Sequence, residues 1–417
     1  MRKARWFGYA CALLCASLLL LSCHISLQSA ENMPPPAPSR IVSATAIMRA
    51  PLPQILTSGL PPTLLIEPAP EVRAAQLLTA KHGWLLTKQA LWWTDDNGDH
   101  WRTITPMFVP ASTIAQVTFI DIAHGWLVVA AQLDTTPGHA EIRVLQTQNG
   151  GQSWQSFRAA TYTDCFSCTG LTHSLFFLNP EEGWLVINRT ETMSSAPAEL
   201  FHTEDGGRTW HQLPAPPRFG AVRFITAQVG WFFDSCCAAF SYKLWQTHDG
   251  GNSWEALTLH DLRPYWAIGL PAFADDSHGL LAVNLIDRQG SSTGQIAFYQ
   301  TDDAGKNWIH TATFSVPSLV GQQIDEGLLT GNIVTRSTWM LTVNQQLYLT
   351  ADAGRTWQVK ALVEHSGGFT ALQLFPDRSG WALLLKDNCA SACTVPMRTS
   401  DNGQTWQLLP LPTKHTP

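Results

Sequence analysis

"TEDGGRTW", residues 203–210, compresses an acid, two glycines and a tryptophan into eight positions. Such a stretch can hold a metal, cradle a phosphate or fold a hairpin, and one copy does not choose among them. Six more copies do: "TDDNGDHW" (94–101), "TQNGGQSW" (147–154), "THDGGNSW" (247–254), "TDDAGKNW" (301–308), "TADAGRTW" (350–357) and "TSDNGQTW" (399–406). Threonine opens every copy, glycine stands fifth and tryptophan eighth. The third position is Asp96, Asp205, Asp249, Asp303, Asp352 or Asp401, and Asn149 in the one remaining copy.

A second mark precedes each turn: "HGWLL" at Trp84, "HGWLV" at Trp126, "EGWLV" at Trp184, "GWFF" at Trp231, "HGLLA" at Leu280, "STWML" at Trp339 and "GWALL" at Trp381. Apolar runs such as "QVTFIDI" come before these marks. Each unit of ~51 residues reads as strand, glycine turn, strand, loop, strand, acidic turn, strand. Seven units of four antiparallel strands predict an all-β fold, a seven-bladed β-propeller of four-stranded antiparallel blades, over residues 71–411 as one domain. Residues 412–417 form a short tail.

In that fold the acidic turn has a structural task. The third-position Asp or Asn accepts hydrogen bonds from backbone N–H groups of its own turn, and the fifth-position glycine permits positive φ. The tryptophan starts the outer strand and buries its ring against the inner ones. A calcium reading of "DDNGD" at 95–99 lacks the bidentate glutamate such a loop needs, because Met107 and Phe108 stand in that neighbourhood. No metal or cofactor is expected.

The sevenfold pattern resembles the Asp-box, or bacterial neuraminidase repeat, over about 340 residues. The box occurs in sialidases, xyloglucan-cleaving glycosidases, sortilin-type receptors and the photosystem II stability and assembly factor family. With its "DGGxTW" turns paired to "GW" strand starts, the chain is most similar to that last group and its bacterial exported relatives. The resemblance implies the fold strongly and a function weakly.

Residues 1–22 read as a lipoprotein-type export signal: basic "MRKAR", apolar "WFGYACALLCASLLLL", and a small residue before Cys23, the expected lipidation site. An uncleaved anchor helix is the alternative. Either one places the body outside the cytoplasm, at the cell surface or in the periplasm, held to a membrane through its N-terminus. The Pro-rich stretch 23–70 reads as a tether. The formal charge is −6, and −9 without Arg2, Lys3 and Arg5, which argues against nucleic acid as a partner. A monomer is expected.

Six cysteines follow the leader: Cys165 and Cys168, Cys236 and Cys237, Cys389 and Cys393. An even number in an exported chain favours disulfides, with Cys389–Cys393 a local pair, and zinc the less suitable alternative. All six fall in connections on the face opposite the acidic turns, where variable loops gather and ligands are expected.

Candidate contacts on that face are Arg263, Tyr265 and Trp266, where the chain enters blade 5. The central channel adds Arg73, His173, Arg223, Asp325 and Glu326, near the starts of inner strands, either paired among themselves or forming a small polar site. His82, His124 and His278 recur at one place in three blades and read as turn chemistry. A sialidase needs three inner-strand arginines and an early "RIP", and only two such arginines are found. Asp325 and Glu326 are adjacent and point to opposite sides of a strand, unlike the separated carboxylate pair of a glycosidase. The sequence thus predicts a non-catalytic scaffold binding a partner protein or envelope ligand, with a glycan-binding or glycan-cleaving propeller as the alternative.

Overall fold

The computed structural model describes residues 71–412 apart from 133–139, 163–171, 189–197, 235–242, 260–264, 287–291, 317–329, 334, 344–345, 362–365 and 387–392. Seven antiparallel sheets follow one another along the chain. Blade 1 comprises Val72–Leu77, Gly83–Thr87, Leu91–Thr94 and Arg102–Thr103. Blade 2 comprises Ile114–Phe119, Gly125–Gln132, Ala140–Thr147 and Gln155–Tyr162. The inner strands of blades 3 to 7 are Thr172–Phe177, Gly220–Phe224, Tyr265–Ile268 (continued by Ala272–Phe273), Thr330–Ile333 and Ser366–Leu374. Inner strands of successive blades lie beside one another between blades 2 and 3, 3 and 4, and 6 and 7, and between blades 7 and 1. They form the hub of a closed seven-bladed propeller.

The glycine of each "GW" mark has a steric reason. A Cβ on Gly125 would lie 2.3 Å from the Phe119 ring, and on Gly183 2.5 Å from Phe177. In these two blades the phenylalanine that ends the inner strand lies against the start of the second strand, where any side chain would collide with it.

The seven acidic turns share one hydrogen-bond design. The threonine hydroxyl donates to the third-position carboxylate or amide oxygen at 2.8–2.9 Å. It accepts from the fifth-position glycine N–H at 2.8–3.0 Å. The same third-position oxygen accepts the seventh-position N–H at 2.8–2.9 Å. These bonds favour the ionised form. The Thr356 and Thr405 hydroxyls, with the backbone donors, hold Asp352 and Asp401 down to about 2. In "DDNGD", Asp95 accepts from the Trp93 indole, Asp96 contacts His100 and Asp99 pairs with Arg398. Each of these acids has a different protein partner. The fourth position is also left-handed in every copy, with φ from 58° to 76°, alongside 76° to 99° at the fifth. Ala304 and Ala353 hold that conformation in spite of their Cβ atoms.

The tryptophans do more than hold their own blades together, which corrects the sequence reading of the eighth position. Trp101 lies 5.9 Å from Trp381 of blade 7 and donates to the Pro410 carbonyl there. Trp154 of blade 2 donates to Ile104 at the end of blade 1, and Trp357 of blade 6 stacks on Phe298 of blade 5. Box tryptophans thus lean on the preceding blade. Trp126, Trp184 and Trp381 of the "GW" marks reach the other way. Trp126 stacks on Phe177 at 3.7 Å and donates to the Gly206 carbonyl of blade 3. Trp184 repeats this with Phe224 and Gly250 of blade 4. Trp381 donates to Asn97 Oδ1 of blade 1 at 2.6 Å. The seam between blades 7 and 1 is filled by one indole from either side.

The last blade owns its outer strand, since Gln407–Leu408 pairs with Met397 and Arg398. Among the described residues the ring closes without strand exchange. Blade 7 packs on blade 1 through Val72, Leu77, Trp101, Trp381, Leu383 and Leu409. The tether, Cys23 and the whole of 1–70 lie outside the described residues. Among the described residues, no helix is long and apolar enough to cross a membrane.

Candidate functional site

At the hub, polar side chains of one inner strand satisfy the backbone of the next blade. Arg73 donates to the Ala111 and Ile114 carbonyls at 3.2 and 2.9 Å. Gln116 receives the Leu175 N–H at 2.8 Å and donates to its carbonyl at 3.0 Å. Arg223 donates to the Pro271 carbonyl at 3.3 Å, and Gln373 accepts the Leu77 N–H at 2.8 Å. Inner strands of neighbouring blades are not laddered together, so these amides and guanidinium groups satisfy backbone groups that would otherwise be unpaired. Arg73 owes its reach to a bulge between Val72 and Ala74, which turns its side chain out of the sheet's alternation.

Arg73 and Arg223 therefore work on carbonyl oxygens. Water reaches the Arg223 guanidinium, yet protein encircles it, and that enclosure lowers its pKa from the ordinary arginine value. His173 is half-buried with an Nε2 that meets no hydrogen-bond partner, and burial depresses its pKa to about 4. It is neutral at pH 7. Asp325, Glu326 and Arg263 lie outside the described residues, as do Cys165, Cys168, Cys236, Cys237 and Cys389. Cys393 begins the third strand of blade 7. Tyr265 and Trp266 are not in a connecting loop: they start the inner strand of blade 5, with a bulge at Trp266. His124 and His278 bond to Asp121 and Asp275 of their own turns, and His82 to Thr79, in keeping with turn chemistry.

The largest cavity described, of about 980 Å³, runs down the outer wall between blades 1 and 2. Its floor includes Ile104, Val129, Leu145 and Trp154, and its lip is the connection from blade 1 to blade 2, "TPMFVP". Met107 and Phe108 stand 80% and 93% exposed at that lip, and Phe108 holds a φ of 67°, unusual for a bulky residue. Arg143, which lines the groove, and Arg158 converge on the buried Glu141 at 2.9 and 3.0 Å, two cations on one anion. Sequence reasoning noted Met107 and Phe108 only as the absence of a calcium ligand. The available signal was two large apolar residues between prolines in a connection.

Among the described residues, Glu182, His202 and Glu204 of blade 3 form a group that could hold a metal, with ligand atoms within 4.8 Å of one another. His202 Nε2 and Glu182 Oε1 are already bonded at 2.6 Å.

Residues 107–262 match the family model of the photosynthesis system II assembly factor YCF48. Among solved structures, YCF48 bound to a D1 peptide is similar with a TM-score of 0.52 at 20% identity, covering 79% of this chain and 92% of that one. YCF48 from Cyanidioschyzon merolae is similar at 0.41 and 16%, covering 72% and 85%. The Hadza microbial sialidase Hz136 is similar at 0.40 and 13%, covering 70% and 66%. No curated protein matches. The chain is a seven-bladed propeller of bacterial neuraminidase repeats. Within that class, residues 107–262 are similar to the YCF48 family.

Proposed function

We propose that the protein is a non-catalytic assembly factor that holds a segment of a partner protein, through the groove between blades 1 and 2 and the Met107–Phe108 lip. The observation that carries this reading is the lip itself. Two large apolar side chains are held almost fully in solvent on a strained backbone, beside a groove big enough for a peptide. Burying them yields free energy only when a partner arrives. Arg102 and Arg143 line the groove, so the segment it suits carries an apolar side chain followed by a carboxylate.

The family match over 107–262 begins at this lip, and the similar propeller YCF48 binds a D1 peptide; both favour a protein partner over a glycan. The hub supports the same side. The described inner strands carry no carboxylate, and Arg73 and Arg223 are engaged with backbone carbonyls. Export, lipidation at Cys23 and membrane tethering belong to this proposal, as does an envelope location for the partner.

A photo-crosslinker placed at residue 108, with a control at Leu408 of blade 7, tests the site in intact cells. One defined membrane-assembly subunit should be caught at 108 and not at 408. Phe108→Ser should reduce that subunit's co-purification at least tenfold while leaving Tm unchanged. Equal capture at both positions would refute the site. Hydrolysis of fluorogenic sialosides or xyloglucan oligosaccharides that disappears in Arg73→Ala or Arg223→Ala would overturn the non-enzymatic reading.

A further inference from the structure

The wall of blade 4 carries a second groove, built on the plan of the one between blades 1 and 2. Both lie where the connection from the preceding blade passes beside an acidic turn and the third strand leading into it. Counted back from the threonine that opens each turn, Lys243 stands where blade 2 has Arg143, and Trp245 where it has Leu145. Within the turn, Trp254 corresponds to Trp154 and Ser253 to Ser153. The groove on blade 4 has a volume of about 460 Å³, and its lip is Pro217 and Arg218 of the connection "PAPPR" (214–218). Three prolines fix backbone dihedrals in that connection, so its lip has little freedom left to lose when a ligand arrives.

Charge in this groove is of one sign. Arg218 reaches Asp234 only at 3.7 Å, too long for a hydrogen bond, and the exposed Lys243 forms no ion pair among the described residues. Among the described residues, no carboxylate lines the groove. Its other polar side chains are committed to their own turn. Asn252 donates to the Asp249 carbonyl at 2.8 Å, and Ser253 to the Asp249 carboxylate at 2.6 Å. Trp245 and Trp254 are half-buried with each N–H closed to solvent, so what the indoles offer the groove is carbon. Phe224 and Phe232 brace the Trp254 ring edge-on at 6.2 and 5.7 Å. Two cations beside bare indole carbon leave few partners for the hydroxyls of a sugar and suit a carboxylate next to a flat apolar group. We infer that this groove is a second binding site, for an acidic peptide segment in which a proline or aromatic side chain adjoins an aspartate or glutamate. The apolar group lies on the indoles while the carboxylate meets Lys243 and Arg218. This chemistry is read from the groove's own residues and does not rest on the function proposed above.

The test titrates the full-length chain carrying Phe108→Ser, in which the groove between blades 1 and 2 is impaired, with the fluorescein-labelled peptide Gly-Pro-Phe-Asp-Glu-Gly, read by polarisation. Saturable binding that weakens at high salt is expected. Adding Lys243→Glu reverses an exposed charge without touching the core and should weaken binding at least tenfold. Adding Trp245→Leu, which installs the residue that blade 2 has at that place, should weaken it at least fivefold. Binding present in the wild type but lost in Phe108→Ser overturns this site and leaves the groove between blades 1 and 2 standing. Absence of saturable binding, unchanged binding in both added variants, or preference for a galacturonic acid trimer over the peptide overturns the assignment as well.

Discussion

The seam between blades 7 and 1 and the seam between blades 5 and 6 follow one plan and end differently. The chain runs from blade 5 into blade 6, so backbone continuity holds those two together whatever their side chains do. Blades 7 and 1 stand at opposite ends of the ring, and side chains alone join them. That seam is correspondingly dense. Trp101 and Trp381 pack together, Trp381 bonds Asn97, Arg398 bonds Asn97 and Asp99, Gln373 bonds Leu77, and Thr394 bonds the Val72 carbonyl. The 5–6 seam has Leu280 in the forward indole's place, beside a cavity of about 200 Å³. Covalent continuity allows packing to be relaxed in one place, and its lack demands packing in the other.

The largest test of this contrast is Trp381→Ala, expected to cost about 3–5 kcal/mol, in the range for deleting a buried ring. Leu280→Ala, bordering a space already present, should cost clearly less, near the ~2 kcal/mol lower end for such truncations. Urea denaturation of the two variants measures the difference, and equal costs would remove the contrast.

Acid comes next, at the hub. Well above pH 6.5 His173 is neutral in both states. As pH falls from 6.5 to about 4 the unfolded chain takes a proton that the folded one refuses, so stability drops across that window and levels below it. His173→Gln should flatten this part of the Tm-against-pH curve, and an unchanged slope would show that the imidazole is not the source.

Smaller effects follow. The coupling between Arg398 and Asp99, half-exposed, should be ~0.2–1 kcal/mol in a double-mutant cycle and should shrink at high salt. Ala304→Gly should leave stability unchanged or raise it by up to about 1 kcal/mol, since relief of a left-handed Cβ offsets the glycine's greater unfolded entropy.

The fold was readable because the box acts within itself. Thr203, Asp205, Gly207 and the Thr209 N–H meet inside seven residues, so spacing alone encodes the bonds. The hidden features join distant parts of the chain. Nothing near Trp154 states that its N–H meets Ile104, nor that Arg73 spans to Ile114 across the hub. The left-handed Phe108 was equally invisible, because its conformation comes from a connection between blades rather than a turn signature. Arg263, Asp325 and Glu326, chosen from sequence, lie outside the described residues.

The forward-reaching indoles give the ring a direction. Each of these blades delivers its tryptophan to a receiver on its successor, and the first blade's receiver, Asn97, takes its donor from the last. During synthesis from the N-terminus, blade 1 is made with that receptacle empty, and the remaining 284 positions must emerge before Trp381 can occupy it. The nascent protein thus carries an unfinished leading end until its seventh blade is made.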